Sequence, residues 1–108
     1  MVIKPLDFLK HCYTNEDGAE VYGRIAPALK AGQNVVVSFE GIDAVPSSFV
    51  NSAFIELLHD LSFAQIKQQL SFIHSNKTIK LMIKSRFEFE VARAASTPLP
   101  SAQATRVA

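Results

Sequence analysis

The chain has 108 residues, of which 48% are hydrophobic, and this size and composition predict one compact domain. Its formal net charge is +1, which supplies no large uniform field to attract nucleic acid or an anionic membrane. The single cysteine, Cys12, cannot form an intramolecular disulfide, and no apolar run reaches the roughly 18 residues of a membrane span. Since the sequence shows no N-terminal secretion signal, we expect a cytoplasmic protein without a membrane partner.

The first third of the chain predicts a short strand and a helix. Val2–Ile3 is β-prone but is soon followed by Pro5, which favours an edge strand or an irregular lead-in. An exposed edge there can pair with a second copy, so a homodimer is one open alternative. Thr14, followed three residues later by an acid, predicts the start of a helix that ends near Gly32. Pro27 lies inside this helix and predicts a kink or a helix that restarts there.

The middle of the chain combines a strand, a turn and a second helix. Val35–Phe39 consists mainly of β-formers and predicts a buried strand. Gly41 and Pro46 then turn the chain. Ser47 and Ser48 open an amphipathic helix, and either hydroxyl can cap its first turn. The apolar positions of this helix are Phe49, Ala53, Phe54, Leu57, Leu58 and Leu61.

The second half predicts a further strand and helix. Leu61–Gln69 is polar and predicts either a short helix or a crossing loop, and Leu70–His74 predicts a short strand. A final helix should run from about Lys77 to Ala94. Two buried strands, each followed by a helix, predict an α/β architecture with a mixed or parallel sheet. We therefore expect a single domain over residues 1–94 and a flexible tail, rich in proline and small polar residues, over residues 95–108.

Catalytic and metal-binding patterns are weak in this sequence. His11, His59 and His74 lack the close spacing of zinc ligands, and no glycine-rich phosphate loop is present. Ser48 and His59 would lie roughly 16 Å apart on one helix, too far for a Ser-His-Asp triad. We expect no enzymatic activity, no metal site and no cofactor.

A lysine stripe is the second candidate for a binding surface. Lys77, Lys80 and Lys84 share one face of the last predicted helix and are candidates for contacting nucleic acid or an acidic partner. A solvated helix face balanced by nearby acids explains the same pattern, and the near-neutral net charge favours that interpretation. For Cys12, a small buried side chain is favoured over a reactive thiol.

The central segment also carries a family resemblance. A strand that ends in Phe-Glu-Gly-Ile, followed by a loop and by Ser-Ser at a helix start, resembles the STAS domain. It is most similar to the STAS-like domain of unknown function found in bacteria and phages. The resemblance spans roughly Asp17 to Arg93 and implies a small mixed sheet of about four strands with helices packed against it. In the anti-sigma factor antagonists of this superfamily, Asp-Ser-Ser or Asp-Ser-Thr opens the helix, and a partner kinase phosphorylates the first hydroxyl.

The resemblance implies a non-enzymatic regulatory module that binds a kinase-like anti-sigma factor or another regulatory protein. It places Ser47 at the phosphoacceptor position and Ser48 beside it. Pro46 stands where the antagonists carry aspartate, and Phe-Val-Asn replaces their Gly-Leu-Gly. Partner contacts are expected from this helix and the loop before it. The expected contact residues are Glu40, Asp43, Phe49, Asn51 and Ser52.

Three alternatives stay open at this point. Helix capping alone accounts for the two serines. Nucleic-acid association through Lys77, Lys80 and Lys84 is an alternative function for the domain. Sensing of a nucleotide or a lipophilic ligand is a third possibility that the resemblance implies.

Overall fold

A computed structural model describes residues 1–96 of the chain. Within this range the chain forms three strands, four α-helices and two short 3₁₀ helices. The strands are β1 (Val2–Ile3), β2 (Val35–Ser38) and β3 (Leu70–Ile73). The α-helices are α1 (Asn15–Lys30), α2 (Ser47–Ala53), α3 (Phe63–Gln69) and α4 (Lys77–Ser96). The 3₁₀ helices cover Pro5–Asp7 and Ile55–His59.

The strands form a parallel sheet in the order β1-β2-β3. Val36 pairs with Val2 on one side and with Ser71 on the other, so β2 is the central strand. The predicted α/β architecture is confirmed, and β1 is an edge strand as expected. The described residues contain three strands, so the expected count of about four is not confirmed, and their pairing is parallel rather than mixed.

The hydrophobic core surrounds the central strand. Val35, Val37 and Phe39 have no exposed surface, which confirms the prediction of a buried strand. The ring of Phe39 stacks on Phe72 and meets Phe54 edge-on, at centroid distances of 5.8 and 6.3 Å. These rings join the sheet to the helices and anchor the connection that follows α2.

Local sequence signals account for both ends of α1. The Thr14 side chain accepts a hydrogen bond from the Asp17 N–H, and the Asp17 carboxylate accepts one from the Thr14 N–H, which completes a capping box. The helix ends before Gly32, whose φ of +82° suits glycine. The helix continues through Pro27 without restarting, and Pro27 and Gly23 are both exposed, where water can reach the Gly23 carbonyl.

The second helix is shorter than predicted. The sequence pattern predicts a helix over Ser47–Leu58, but α2 ends at Ala53 and Phe54 leaves helical geometry at φ −124°. A 3₁₀ helix follows, and this change of direction allows Phe54 and Leu57 both to be fully buried. The ambiguous segment after it forms α3, whose first turn is capped by the Ser62 hydroxyl, which accepts from the Gln65 N–H at 3.1 Å.

The C-terminal helix agrees with its prediction at its start and runs slightly further at its end. It begins at Lys77 and extends to Ser96, two residues past the predicted domain boundary. The remainder of the predicted tail, residues 97–108, lies outside the described residues. None of the helices in residues 1–96 combines the length and apolarity needed to cross a membrane.

Candidate functional site

The start of α2 displays Ser47 to solvent. Pro46 occupies the N-cap position with extended backbone, and its carbonyl accepts from the Val50 N–H at 3.2 Å. The prediction that a serine hydroxyl caps this helix is wrong, because both serines lie inside the helix, past the position from which a cap reaches the free N–H groups. Ser47 is exposed, and its hydroxyl has no hydrogen-bond partner among residues 1–96.

Ser48 points towards the segment that leads into α1. It is half-buried, and its hydroxyl donates a long hydrogen bond of 3.5 Å to the Tyr13 carbonyl. Tyr13 is 62% exposed, and its ring stacks on His11 at 4.9 Å between ring centroids. An exposed aromatic residue therefore lies next to Ser48 in the fold, although 35 residues separate the two in the chain.

The other residues expected on the α2 surface differ in accessibility. Phe49 is fully buried and meets Phe54 edge-on at 6.2 Å, so this conformation places it in the core rather than on a partner-binding surface. Asn51 is half-buried, and its Oδ1 accepts from the Arg86 Nε at 2.9 Å. Ser52 is also half-buried and donates to Asn15 Oδ1 at 3.3 Å. Asn51 and Ser52 thus link α2 to its neighbouring helices.

The loop between β2 and α2 is held at both ends. Glu40 is exposed and forms an ion pair of 3.4 Å with Lys4, while Gly41 turns the chain at φ +85°. The backbone carbonyl of Asp43 accepts a 2.6 Å hydrogen bond from Asn76 Nδ2, which leaves the exposed Asp43 carboxylate free to face solvent. Glu40 and Asp43 are therefore exposed on the loop that leads to the exposed Ser47 at the start of α2.

Asn76 is a positioning residue that the sequence interpretation missed. While its amide nitrogen donates to Asp43, its Oδ1 accepts from the Ile79 N–H at 2.8 Å in the first turn of α4. One side chain thus caps α4 and holds the loop before α2. The capping role was readable from an asparagine directly before the helix, but the contact with Asp43, 33 residues away, was not.

The segment before α1 contains a buried thiol and a hydrogen-bonded carboxylate. Burial, and secondly the charge of Asp17, raises the pKa of Cys12 to about 12, which keeps the thiol protonated and unreactive. Partial desolvation acts to raise the pKa of Asp17, but hydrogen bonds from Tyr13, His11 and Thr14 outweigh it and hold that pKa below its ordinary value. The contact between His11 Nδ1 and Asp17 Oδ2 is 2.7 Å.

The three lysines of the α4 stripe are all exposed, but they do not share one environment. Lys80 and Lys84 line a groove between α3, β3 and α4, whereas Lys77 lies outside it. Lys67 from α3 joins them at the groove, a neighbour that the helix pattern alone does not reveal. Binding of nucleic acid by Lys77, Lys80 and Lys84 stays a prediction. Among residues 1–96, no group of three or more His, Cys, Asp or Glu side chains is placed to hold a metal ion.

The family of the chain follows from comparison with known proteins. The family model described as the STAS-like domain of unknown function matches residues 17–80, more than half of the chain. The chain therefore belongs to this family of STAS-like domains, as its resemblance indicated. No curated protein and no solved structure shows a significant match to it. The matched region runs from the first turn of α1 to the first turn of α4 and includes the serines of α2.

Proposed function

We propose that this domain is a regulatory protein-interaction module, comparable with anti-sigma factor antagonists, whose partner surface is the loop between β2 and α2 together with the start of α2. The partner is a kinase-like or other regulatory protein, bound stoichiometrically and without turnover. The observation that carries the proposal is the exposed Ser47 hydroxyl, which has no hydrogen-bond partner within residues 1–96. Ser47 also lies at the position that the STAS resemblance assigns to the phosphoacceptor.

Packing around α2 supports the proposal that the partner surface is rigid. Phe49, Val50 and Ala53 are fully buried, so the helix that carries Ser47 is anchored along its inner face. Asn76 holds the preceding loop by its hydrogen bond to Asp43. A partner would therefore meet a preformed surface and lose little free energy in ordering it.

Accessibility favours Ser47 over Ser48 as the modified residue. A kinase must reach the hydroxyl, and Ser47 is exposed whereas Ser48 is half-buried against Tyr13. Phosphorylation adds nearly two negative charges and a strongly hydrated group. A phosphate on the exposed Ser47 would therefore reduce binding to any partner that had to desolvate it.

The first test is affinity capture of the tagged protein from its native host, with mass spectrometry of both the captured partners and the phosphorylation of Ser47 and Ser48. The affinity of the captured partner is then measured by calorimetry. We expect Ser47→Asp to weaken binding about tenfold or more and Ser47→Ala to leave it nearly unchanged.

Two further variants make the test specific. Ser85→Asp introduces the same charge on the exposed surface of α4 and should leave partner affinity unchanged. Ser48→Asp should be weaker in effect than Ser47→Asp if accessibility decides which serine is used. Equal partner affinity for the wild-type protein and Ser47→Asp would refute the switch, and failure to capture any regulatory protein would leave the serines without a regulatory role.

A further inference from the structure

The groove between α3, β3 and α4 has an apolar interior. It has a volume of about 370 Å³, towards the lower end of the roughly 300–1,000 Å³ typical of small-molecule sites. Its apolar lining consists of Phe63, Ile66, Leu70, Phe72, Ile83 and Phe87. Phe63 and Phe87 stack at 5.3 Å, and Phe63 and Phe72 are only half-buried, so aromatic surface remains open to an occupant.

The charged residues of the groove are mostly of one sign. Lys67, Lys80 and Lys84 line it together with one acid, Glu88. Within the described residues none of these three lysines forms an ion pair, and the Lys67 ammonium lies 5.2 Å from the centre of the Phe63 ring. Three cationic groups therefore border an apolar depression with one carboxylate to balance them.

We propose that this groove binds an amphiphilic monocarboxylate of the fatty-acid type. The alkyl chain would lie on the apolar lining, and the carboxylate would lie at the exposed edge of the groove, which Lys67, Lys80 and Lys84 border. A neutral lipophile would leave the positive rim unused, and a small polar anion would leave the apolar surface exposed. The surface is separate from the proposed partner surface around Ser47, so the two proposals stand or fall independently.

The alkyl chain and the carboxylate of the ligand should each contribute to its affinity for the groove. Each methylene that enters the groove should improve affinity by up to about fourfold, because its burial removes apolar surface from water. The exposed lysines act through solvent, so loss of two of them should weaken binding of the carboxylate about fivefold. Lys80 and Lys84 are exposed, and their substitution by glutamine removes the positive charge and keeps a polar side chain without disturbing the core.

The test is a titration of isotopically labelled full chain with decanoate, followed by NMR at concentrations below micelle formation. We expect saturable shifts at groove residues such as Phe63, Ile83 and Phe87, and much weaker binding of butanoate. The double variant Lys80→Gln/Lys84→Gln should bind decanoate about fivefold more weakly. Lys77→Gln, on the same helix but outside the groove, should bind it as the wild-type protein does.

A neutral probe separates charge from apolar contact. Decanol should bind the wild-type protein more weakly than decanoate but should bind the double variant and the wild-type protein equally. Shifts that map elsewhere, equal binding of decanoate and decanol by the wild-type protein, or no saturation would each overturn the proposal. So would binding of an acidic amphipathic peptide in place of decanoate, which would assign the groove to a protein partner. Ser47→Asp should not change the affinity for decanoate, whatever it does to partner binding.

Discussion

Two pairs of helices differ in how closely they pack. The first pair is α1 and α2, and the second is α3 and α4. Between α1 and α2 the backbones nearly touch, since a Cβ added at Gly18 would lie 2.6 Å from the Phe49 carbonyl oxygen and 2.7 Å from the Ser52 Cβ. Between α3 and α4 a groove of about 370 Å³ remains open, although Phe63 and Phe87 stack across it. The close contact between α1 and α2 is possible only because Gly18 has no side chain. Between α3 and α4 there is room for large side chains, and these do not fill the space.

The difference in packing bears on the two binding surfaces that we propose. The side of the molecule with α1 and α2 holds Ser47 on a helix that has little freedom to shift, which suits recognition by a preformed partner. The groove beside α4 has adaptable, partly exposed side chains, which suit a flexible apolar ligand.

Truncation of an aromatic residue in each region gives the largest expected contrast. Phe54→Ala removes a fully buried ring that contacts Phe39, Phe49 and Phe72, and we expect it to lower the free energy of unfolding by about 3–5 kcal/mol. Phe63→Ala removes a half-buried ring at the groove and should cost about 1–2 kcal/mol. Urea denaturation followed by circular dichroism measures both. Equal losses would mean that the groove is closed in solution.

Glycine substitution tests the close approach of α1 and α2. We expect Gly18→Ala to lower the free energy of unfolding by about 1–3 kcal/mol, because the new methyl group meets backbone atoms that cannot rotate away. Gly23→Ala is the matched control in the same helix, since a Cβ there meets no atom within 4 Å. It should raise the free energy of unfolding by about 0.5–1 kcal/mol. A stabilising Gly18→Ala would show that α1 and α2 are further apart than described.

Substitution in the capping box of α1 should have the smallest effect on the free energy of unfolding. That effect should depend on pH. Asp17→Asn should lower the free energy of unfolding at neutral pH by about 1 kcal/mol, because the carboxylate accepts hydrogen bonds from Tyr13 and Thr14. Those bonds hold the pKa of Asp17 below its ordinary value near 3.8, so its stabilisation is present above that value and is lost as the pH falls through the lower folded pKa.

The matched control is Glu16→Gln, which removes an exposed charge from the same helical turn. Urea denaturation of both variants from pH 7 to pH 2 should show a difference from the wild-type protein that shrinks at low pH for Asp17→Asn. If that difference stays constant down to pH 2, the carboxylate of Asp17 does not carry the stabilisation.

Some candidate site residues could be predicted from the sequence, whereas others could be found only from the folded structure. Ser47 was identified from its place after a strand and a turn, and the structure leaves it exposed. Phe49 was expected to contact a partner as part of the helix that the resemblance assigns to partner binding, but its ring is fully buried in the core. Lys67 was not predicted because it belongs to a segment of ambiguous pattern, and it borders the same groove as Lys80 only in the folded structure.

The amino-acid sequence by itself determined the α/β class, the central strand, the limits of α1 and the start of α4. These features depend on local signals, namely β-formers in a run, a capping box, glycine at a helix end and apolar residues at helical spacing. Only the tertiary structure decided that α2 stops at Ala53, that Asn76 holds the loop at Asp43, and that the lysines of two helices border one apolar groove. Each of these depends on contacts between residues far apart in the chain, where burial and hydrogen bonding override local preference.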